Sequence, residues 1–453
     1  MFLPHCLVLL SLITTTFSIN PGVKVELTEK GLEYGRQLAI ASIQQKLKSI
    51  KVPDMSGKER ISPIGKVQYS LTNMHIVNAG LPKSAVDLVP GTGVRLSITN
   101  AFITMNGRWR VKYLRIIKDS GSFDLSVNGL SISTSIAISS DETGRPMVSS
   151  VNCAANVGEV TIKFHGGASW LYNLFRKYIE KALRGAMEKQ ICPLVTDAVS
   201  DLNIRLKTLN VLAKVDEYAE IEYSMVSSPT ISNSAIVLNL KGEFYNIGKH
   251  QEPPFSATTF SMQSQTNNML SVGISAFTAN SAAFVYNAAG MLSLYITDDM
   301  IPKSSLFHLN TKSFSVFIPQ LEKQFPNMTM KLLVKTVKNP VITFEPDNAT
   351  IQALCSVTAY AIQPNATLSP LFVLNLESSV SARVFVSGMK LAGEITLNDF
   401  KYHLFDLQVK SLDNIFQMVL KVVILPKLNG EVSLFSFLTL HLLLSSIGKQ
   451  ECF

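Results

Sequence analysis

Apolar residues recur at two different periods along this chain, and each change of period marks a change of predicted structure. From Val25 to about Ile50 they return every three to four positions, which predicts a long amphipathic helix ended by Pro53. Its apolar stripe includes Tyr34 and Leu38. A second helical pattern runs over 168–196, with Tyr178, Leu183 and Met187 directed inward and Arg176, Lys177, Lys181 and Arg184 directed outward.

Between these helices the period becomes two, which predicts antiparallel strands. Trp109, Val111 and Tyr113 alternate with Arg108, Arg110 and Lys112, so one strand face is apolar and the other cationic. Asn106-Gly107 just before them is a typical hairpin turn. The alternation beginning at Phe123 changes phase at Gly129, which predicts a β-bulge, because one inserted residue exchanges the two faces of a strand.

The second half of the chain repeats these ingredients after a break at Pro253-Pro254, which can continue neither a helix nor a central strand. It contains an apolar helical stretch over 276–289, an amphipathic segment over 313–325 and a last helix over 412–425. The element order therefore predicts two domains: an N-terminal domain over 19–240, a proline-containing linker over 241–260 and a C-terminal domain over 261–453.

Residues 1–18 are predicted to be a cleaved secretion signal, with an apolar core too short to span a bilayer. Acceptor sequons at Asn327, Asn348 and Asn365 predict N-glycosylation and agree with export. We therefore expect a secreted, extracellular glycoprotein. Its 16% of charged residues is well below the roughly 25% of an ordinary domain, so some apolar residues are available to line a cavity.

Positive charge is concentrated in one window of the sequence. Between Lys46 and Lys118 there are 13 Lys and Arg residues and 3 Asp and Glu residues, a net charge of +10, whereas the whole chain carries +8. The remainder therefore sums to −2, and the basic character is local. Such a patch attracts polyanions such as phosphorylated lipids, nucleic acid or sulfated glycans.

Cysteine and histidine usage argues against catalysis. With Cys6 lost in the signal, four cysteines allow three pairings; Cys153 in a strand and Cys192 near the end of the following helix form the natural one. The chain lacks the nucleophile-elbow, zinc-helix, CxxC and P-loop motifs, and its seven histidines are dispersed. Asp298-Asp299 before Pro302 indicates a turn. We predict that the protein has no catalytic activity and binds no metal or cofactor. Export from the cell argues against nucleic acid as the ligand of the basic patch, whereas a sulfated glycan remains a candidate.

Several short strings occur in a fixed order over about 20–430: Asn20-Pro21-Gly22-Val23-Lys24, Gly31-Leu32-Glu33-Tyr34-Gly35, Ile50-Lys51-Val52-Pro53-Asp54, Asn106-Gly107-Arg108-Trp109-Arg110, Gly121-Ser122-Phe123-Asp124-Leu125-Ser126, Lys241-Gly242-Glu243-Phe244-Tyr245 and Asp298-Asp299-Met300-Ile301-Pro302-Lys303. Together, in this order, they resemble the lipid transfer and lipopolysaccharide-binding protein family.

The resemblance implies an α+β fold: an elongated two-domain boomerang, each domain a twisted antiparallel β-barrel packed with long helices, joined by a central sheet. Each domain would hold a phospholipid in an apolar pocket, and the family's single disulfide falls on Cys153 and Cys192. The family's cationic tip, which binds lipopolysaccharide, falls on Lys46, Lys48, Lys51, Arg108, Arg110, Lys112, Arg115 and Lys118.

The expected function is innate immunity: binding of lipid A of lipopolysaccharide at the Gram-negative outer membrane, with an antibacterial or endotoxin-neutralising outcome, and with the second domain free for a host receptor. The alternative is a plasma carrier of phospholipid or cholesteryl ester, which needs pockets but no charged tip. The chain departs from the family after Asn429, where Gly430-Glu431 leads into an apolar tail. This tail puts closure of the second barrel in doubt.

Overall fold

The structure is a computed structural model that describes residues 19–47, 54–61, 65–113, 117–167, 176–263, 267–346, 348–387, 390–403, 417–426 and 429. Most of these residues lie in antiparallel sheets, with few helices. The class is α+β with two domains, as the sequence predicts.

A seven-stranded antiparallel sheet dominates the N-terminal half. Its order is β2-β3-β5-β6-β7, with β4 paired to β5 and β8 paired to β6. The strands are β2 (Met55–Ile61), β3 (Gly65–Gly80), β4 (Lys83–Val89), β5 (Gly93–Tyr113), β6 (Ile117–Ser140), β7 (Pro146–Asn156) and β8 (Glu159–His165). Alternate residues form its core, with Trp109, Phe123 and Ile162 almost fully buried.

The phase change at Gly129 is confirmed as a β-bulge. Phe123, Leu125 and Val127 are buried before it and Leu130 after it, so burial changes parity there. Gly129 has φ +67°, and the β5–β6 register shifts beside it. Glycine adopts this left-handed conformation without the steric cost that a side chain brings.

The predicted hairpin at Asn106-Gly107 is wrong. Strand β5 runs straight through both residues, which pair with Asp124 and Phe123 of β6. Glycine occupies position 107 for a packing reason, since a Cβ there would lie 2.7 Å from the Phe123 ring. The alternation after it is confirmed: Trp109 and Val111 are 1% and 3% exposed, while Arg108, Arg110 and Lys112 face solvent.

The first helix begins later than predicted. Residues from Val25 belong to strand β1 (Val23–Thr28), and helix α1 spans Glu29–Leu47. A strand forms because β1 is hydrogen-bonded on both sides, to β12 (Ala235–Leu240) and β14 (Leu270–Ile274). The predicted stripe is also wrong in part: Ile40 is buried, but Tyr34 and Leu38 are more than half exposed.

Helix α2 spans Arg176–Leu206, ten residues beyond its predicted end, and the predicted residues 168–175 lie outside the described ones. Leu183 is buried and Met187 packs on the core, as predicted. Tyr178, predicted inward, is 56% exposed, whereas the four predicted outward cations are exposed.

Two small sheets lie near the junction of the halves, and the first of them joins strands from both. The first has the order β11-β12-β1-β14, with β11 at Thr230–Ile231, so β1 lies between strands from both halves. The second has the order β13-β10-β9, formed by β9 (Leu212–Lys214), β10 (Ala219–Glu222) and β13 (Glu243–Asn246). The segment around Pro253-Pro254 is irregular, as predicted.

The C-terminal half contains a six-stranded sheet of order β15-β16-β18-β19-β20, with β17 paired to β18. Its strands are β15 (Ser293–Ile296), β16 (Met330–Thr336), β17 (Val341–Glu345), β18 (Asn348–Ile362), β19 (Leu368–Ser387) and β20 (Lys390–His403). Phe314, Leu332 and Leu374 lie in its core.

The helices of this half only partly match their predictions. The stretch over 276–289 is helix α3 (Ala276–Ala288), begun by a Ser275 cap. The segment over 313–325 is two short helices, α4 (Thr311–Ser315) and α5 (Gln320–Gln324), with Pro319 before the second. Of the last predicted helix, residues 417–425 are described and are helical, including a π-helix over Leu420–Ile424.

The atypical tail over 430–453 lies outside the described residues, so its effect on the second barrel stays a prediction. Among the helices that the structure describes, none has both the length and the apolar content to cross a membrane.

Candidate functional site

Three cations are arranged on one face of β5 by the strand period. Arg108, Arg110 and Lys112 are exposed, and their neighbours Trp109 and Val111 point to the core. Successive residues of a strand face opposite sides, so all three cations lie on the solvent face of the sheet.

The register with β6 adds a fourth predicted cation. Lys118 lies directly opposite Lys112 and is exposed, while Arg108 and Arg110 face Ser122 and Ser120. Directly opposite residues share a face with Cβ atoms about 5 Å apart, so the two ammonium groups are neighbours. No ion pair joins these four cations to a carboxylate of the described residues.

The other four predicted cations are not placed in this group. Lys46 lies in the last part of α1, where its side chain is not among those described, and Lys48, Lys51 and Arg115 lie outside the described residues. Helix α1 itself packs against β3 and β4.

The structure adds three cations that the predicted site did not include. Lys58 on β2 is opposite Gln68 on β3, which in turn is opposite Lys112, so Lys58, Lys112 and Lys118 lie in one row across the sheet. Arg60 of β2 and Lys66 of β3 face each other two residues further along the same strand pair, on the same face of the sheet. All three added cations are exposed. These three residues belong to the basic window of the sequence, but only the pairing of β2, β3 and β5 shows that they lie near the cations of β5.

Two members of the basic window lie elsewhere. Arg95 is opposite Asp87 on β4, and Lys83 is at the beginning of that strand. Arg95 is separated from Arg110 by 15 positions along β5, on the order of 50 Å of strand. We call the exposed set Lys58, Arg60, Lys66, Arg108, Arg110, Lys112 and Lys118 the cationic face.

A rigid apolar layer supports this face. Trp109 packs edge-to-face on Phe164 with ring centroids 5.7 Å apart, and its indole N–H donates to the His165 carbonyl at 3.2 Å. The His165 ring contacts the Asp124 carboxylate at 2.9 Å on the same outer surface. Because the backing side chains are fixed, the cations extend from a platform of defined spacing.

The groove between α1 and the β3–β4 turn has a volume of about 620 Å³. It is lined by Arg36, Gln37, Gln44 and Lys83 as well as by Ile40 and Leu81, and it is open to solvent. Arg36 binds Glu33 and Ser84, and the hydrogen bond from Arg36 lowers the pKa of the Glu33 carboxyl to about 2. This polar groove does not match an apolar phospholipid pocket, and the pockets stay a prediction.

Apolar surface is instead exposed on the two long helices. Tyr34 and Leu38 of α1 and Tyr178, Leu194 and Ile204 of α2 are each more than half exposed.

The predicted disulfide is confirmed, between Cys153 on β7 and Cys192 on α2 with a Cα–Cα distance of 5.7 Å. Cys355 is a half-buried free thiol whose pKa is raised to about 11 by burial. Cys452 lies outside the described residues.

The three sequons differ in accessibility. Asn327 and Asn365 are exposed, and the Asn365 side-chain oxygen accepts hydrogen bonds from the backbone and hydroxyl of Thr367. Asn348 is half-buried on β18, where its amide donates to the Ser381 hydroxyl at 3.3 Å.

Of the two carboxylates singled out in the sequence, Asp298 has structural partners, and Asp299 is exposed. Asp298 begins a short 3-10 turn and accepts from the backbone N–H of Leu309 and from the His308 ring. Within the described ranges, no group of three or more His, Cys, Asp or Glu side chains could hold a metal ion.

Comparisons with known proteins agree over nearly the whole chain. The model described as "LBP / BPI / CETP family, N-terminal domain" matches residues 31–202, and its C-terminal counterpart matches 213–435. Bactericidal permeability-increasing protein from Sebastes schlegelii is 72% identical over 432 residues, covering 94% of this chain and 91% of that one.

More distant relatives show the same coverage. Lipopolysaccharide-binding protein from Homo sapiens is 32% identical over 441 residues, covering 95% and 91% of the two chains. The crystal structure of lipopolysaccharide binding protein aligns with a TM-score of 0.59 at 31% identity, over 92% of this chain and 93% of that chain.

Proposed function

The chain belongs to the LBP / BPI / CETP family, and on that premise we propose that it is a secreted innate-immunity protein that binds lipid A of bacterial lipopolysaccharide. Its cationic face would engage the lipid A phosphates at the Gram-negative outer membrane, with an antibacterial or endotoxin-neutralising outcome. The observation that carries the proposal is the group Arg108, Arg110, Lys112 and Lys118, exposed on two adjacent strands and free of ion pairs with the described carboxylates.

The charge arrangement suits a phosphorylated amphiphile. Each Lys or Arg near an anionic surface contributes about 1 kcal/mol, and that attraction falls off within a Debye length of about 8 Å in physiological salt. Neighbouring strands are about 4.8 Å apart, so cations on β5 and β6 act on the same phosphate or on adjacent ones. Arginine also binds phosphate through two parallel hydrogen bonds.

The acyl chains need apolar surface as well as charge. Each buried CH₂ contributes about 0.8 kcal/mol, so a lipid is preferred over a sulfated glycan wherever hydrocarbon is covered. The exposed apolar residues of α1 and α2 support a lipid ligand, and we propose that they meet hydrocarbon of bound phospholipid or lipid A.

The test is a triple substitution that removes three charges from the cationic face: Arg108→Gln, Arg110→Gln and Lys112→Gln. At about 1 kcal/mol each, we expect roughly a hundredfold weaker binding to lipopolysaccharide at physiological salt. Binding is measured by titration against lipopolysaccharide and against neutral phosphatidylcholine vesicles, at two salt concentrations.

The matched control removes three exposed cations of α2 instead: Lys177→Gln, Lys181→Gln and Arg184→Gln. It changes the net charge equally but leaves the cationic face intact, so affinity should fall much less. Equal losses in the two variants would mean that only net charge matters, and unchanged binding in the first variant would refute the site. Salt-independent binding of neutral vesicles that equals lipopolysaccharide binding would favour the lipid-carrier alternative.

A further inference from the structure

A cluster of ionisable side chains at the junction of the two halves has no part in the proposed lipid binding. It is centred on the Lys241–Tyr245 motif, next to β10 and to the irregular segment 247–252. Glu243 is 3% exposed and Tyr245 is fully buried. Burying an ionised carboxylate is costly unless it is paired, so the partners and the protonation state of Glu243 determine the stability of this cluster.

The Lys241 ammonium is the centre of the cluster. Its Nζ lies 3.3 Å from a carboxylate oxygen of Glu222, 3.3 Å from one of Glu243 and 3.4 Å from one of Glu252. It also donates to the Tyr245 hydroxyl, which itself donates to Glu252 at 3.2 Å. Three carboxyl groups therefore share one ammonium, leaving an excess of negative charge if all three are ionised.

The linker is fixed to the sheet through this cluster. Glu252 reaches back from the irregular segment to Lys241 and Tyr245, and the His250 ring stacks on the Tyr245 ring with centroids 3.7 Å apart. Backbone bonds add to this, from Ile247 to Tyr218 and from Lys249 to Asn246. Glu252 itself is 64% exposed, so the attachment lies at the surface and can open locally.

One buried oxygen shows where a proton belongs. Oε1 of Glu243 is buried and meets no hydrogen-bond donor among the described residues. The Glu243 and Glu252 carboxyl groups both lie within 3.4 Å of the Lys241 ammonium, so they are neighbours, and two neighbouring carboxyl groups can share a hydrogen bond only if one of them is protonated. A proton held by Glu243 and donated to Glu252 would satisfy the buried oxygen.

The surroundings agree with this assignment. Burial, followed by the bond to Glu252, raises the pKa of Glu243 to about 7. Burial also acts to raise the pKa of Glu252, but the bond from Glu243 and the charge of Lys241 outweigh it and lower that pKa. Burial acts to lower the pKa of Lys241, but the charges of Glu222 and Glu243 outweigh it and raise that pKa, so the ammonium stays charged.

Other charged groups near the cluster do not provide the missing donor. On the same sheet face, Glu220 is opposite Tyr245 and Lys214 is opposite Glu220. Lys249 is an exposed residue of the linker. Helix α3 packs on the opposite face of β13, and its one ionisable side chain, Tyr286, donates to Asp216.

We propose that Lys241, Glu243, Tyr245 and Glu252 form a proton-operated latch, a contact that holds segment 247–252 on the β13-β10-β9 sheet. The latch is closed while one proton is shared between Glu243 and Glu252. It loosens when that proton is released to solvent, because the buried carboxylate then faces Glu252 with only Lys241 to balance both charges.

The sign and size of the effect follow from linkage. The pKa of Glu243 is higher in the closed state than its ordinary value of 4.5, so the proton's contribution is complete below about pH 4.5 and is lost as pH rises through about 7. Between pH 6 and pH 8 the opening equilibrium of the linker should increase about tenfold.

The experiment is amide hydrogen exchange of 247–252 in the whole protein at pH 6 and pH 8, with each rate divided by the rate of an unstructured peptide at that pH. We expect about tenfold more opening at pH 8. Glu243→Gln carries a permanent amide donor in place of the proton, so it should make opening independent of pH. Glu220→Gln, on the same face but outside the latch, should keep the wild-type pH dependence.

A second variant guards against misfolding caused by the buried substitution. Glu252→Gln changes an exposed residue and donates to Glu243 from the other side, so it should also remove the pH dependence. Equal opening of the wild type at pH 6 and pH 8 would overturn the proposal, as would a tenfold change that persists in both Gln variants. Lipopolysaccharide binding is measured separately, so failure of the latch and failure of the proposed function are distinguishable.

Discussion

The Cys153–Cys192 disulfide should carry much of the stability of the N-terminal half. It closes a loop of 39 residues between β7 and α2. In the chain-entropy treatment, a cross-link over that length lowers the entropy of the unfolded chain enough to stabilise the fold by about 4 kcal/mol at 25 °C. The double substitution Cys153→Ser with Cys192→Ser should therefore lower the free energy of unfolding by about that amount.

The contacts of α2 explain why the loss should be felt in its second half first. Before Cys192 the helix buries Ile179 and Leu183, but beyond it only Val199 is buried among the described side chains. Asn203 adds hydrogen bonds to the backbone of Val148. Without the disulfide, the segment after Cys192 is held mainly by these few contacts.

Denaturant unfolding followed by tryptophan fluorescence is the direct assay. Both tryptophans, Trp109 and Trp170, belong to the first half of the chain, so the signal follows the N-terminal half even if the two halves unfold separately. Cys355→Ser is the matched control, since it removes a half-buried thiol without opening a loop; because Cys355 lies in the C-terminal half, its unfolding is followed by far-UV circular dichroism. A loss below about 1 kcal/mol in the double variant, or an equal loss in the control, would refute the reasoning.

Two further predictions test packing and modification. Gly107→Ala would place a Cβ 2.7 Å from the Phe123 ring, so it should lower the free energy of unfolding, measured in urea, by about 1–3 kcal/mol. The control is Gly35→Ala on α1, where a Cβ would meet nothing within 4 Å, and it should be neutral or stabilising. Equal effects of the two substitutions would contradict the packing argument. Asn365 should be glycosylated at high occupancy and Asn348 at low occupancy, because the Asn348 amide is half-buried and already donates to Ser381. Glycopeptide mass spectrometry of the secreted protein measures the occupancy of both sites. Full occupancy of Asn348 would contradict this prediction.

The strand pattern was predictable from the sequence where one physical cause dominated. Alternation around Trp109 gave the correct faces of β5, because a half-buried strand has only one way to divide polar from apolar residues. The bulge at Gly129 was predictable for the same reason. At Asn106-Gly107 the prediction was wrong because a glycine has two structural explanations that look the same in the sequence. Glycine is favoured in a tight turn, but here it is required because a side chain would collide with the Phe123 ring.

Long-range pairing explains the remaining errors. The segment from Val25 to Thr28 has a pattern compatible with a helix, and it becomes a strand because β12 and β14, more than 200 residues away, bind it on both sides. Tyr34 and Tyr178 have helical spacing, but the described part of the chain leaves each of them more than half exposed. Spacing predicts which residues share a face, whereas burial of that face depends on what packs against it.

Charge along the sequence and charge on the surface are different quantities in this protein. The basic window counts Arg95, which faces Asp87 far along β5, together with Arg110, although screening over about 8 Å prevents the two from acting on one ligand. It gives no reason to group Lys58 with Lys118, which are 60 positions apart, yet both lie in one cross-strand row with Lys112. Adjacent strands are about 4.8 Å apart, so this row brings cations from three strands within about 15 Å. The strand register, more than the number of basic residues, therefore determines which cations can bind one phosphorylated headgroup together.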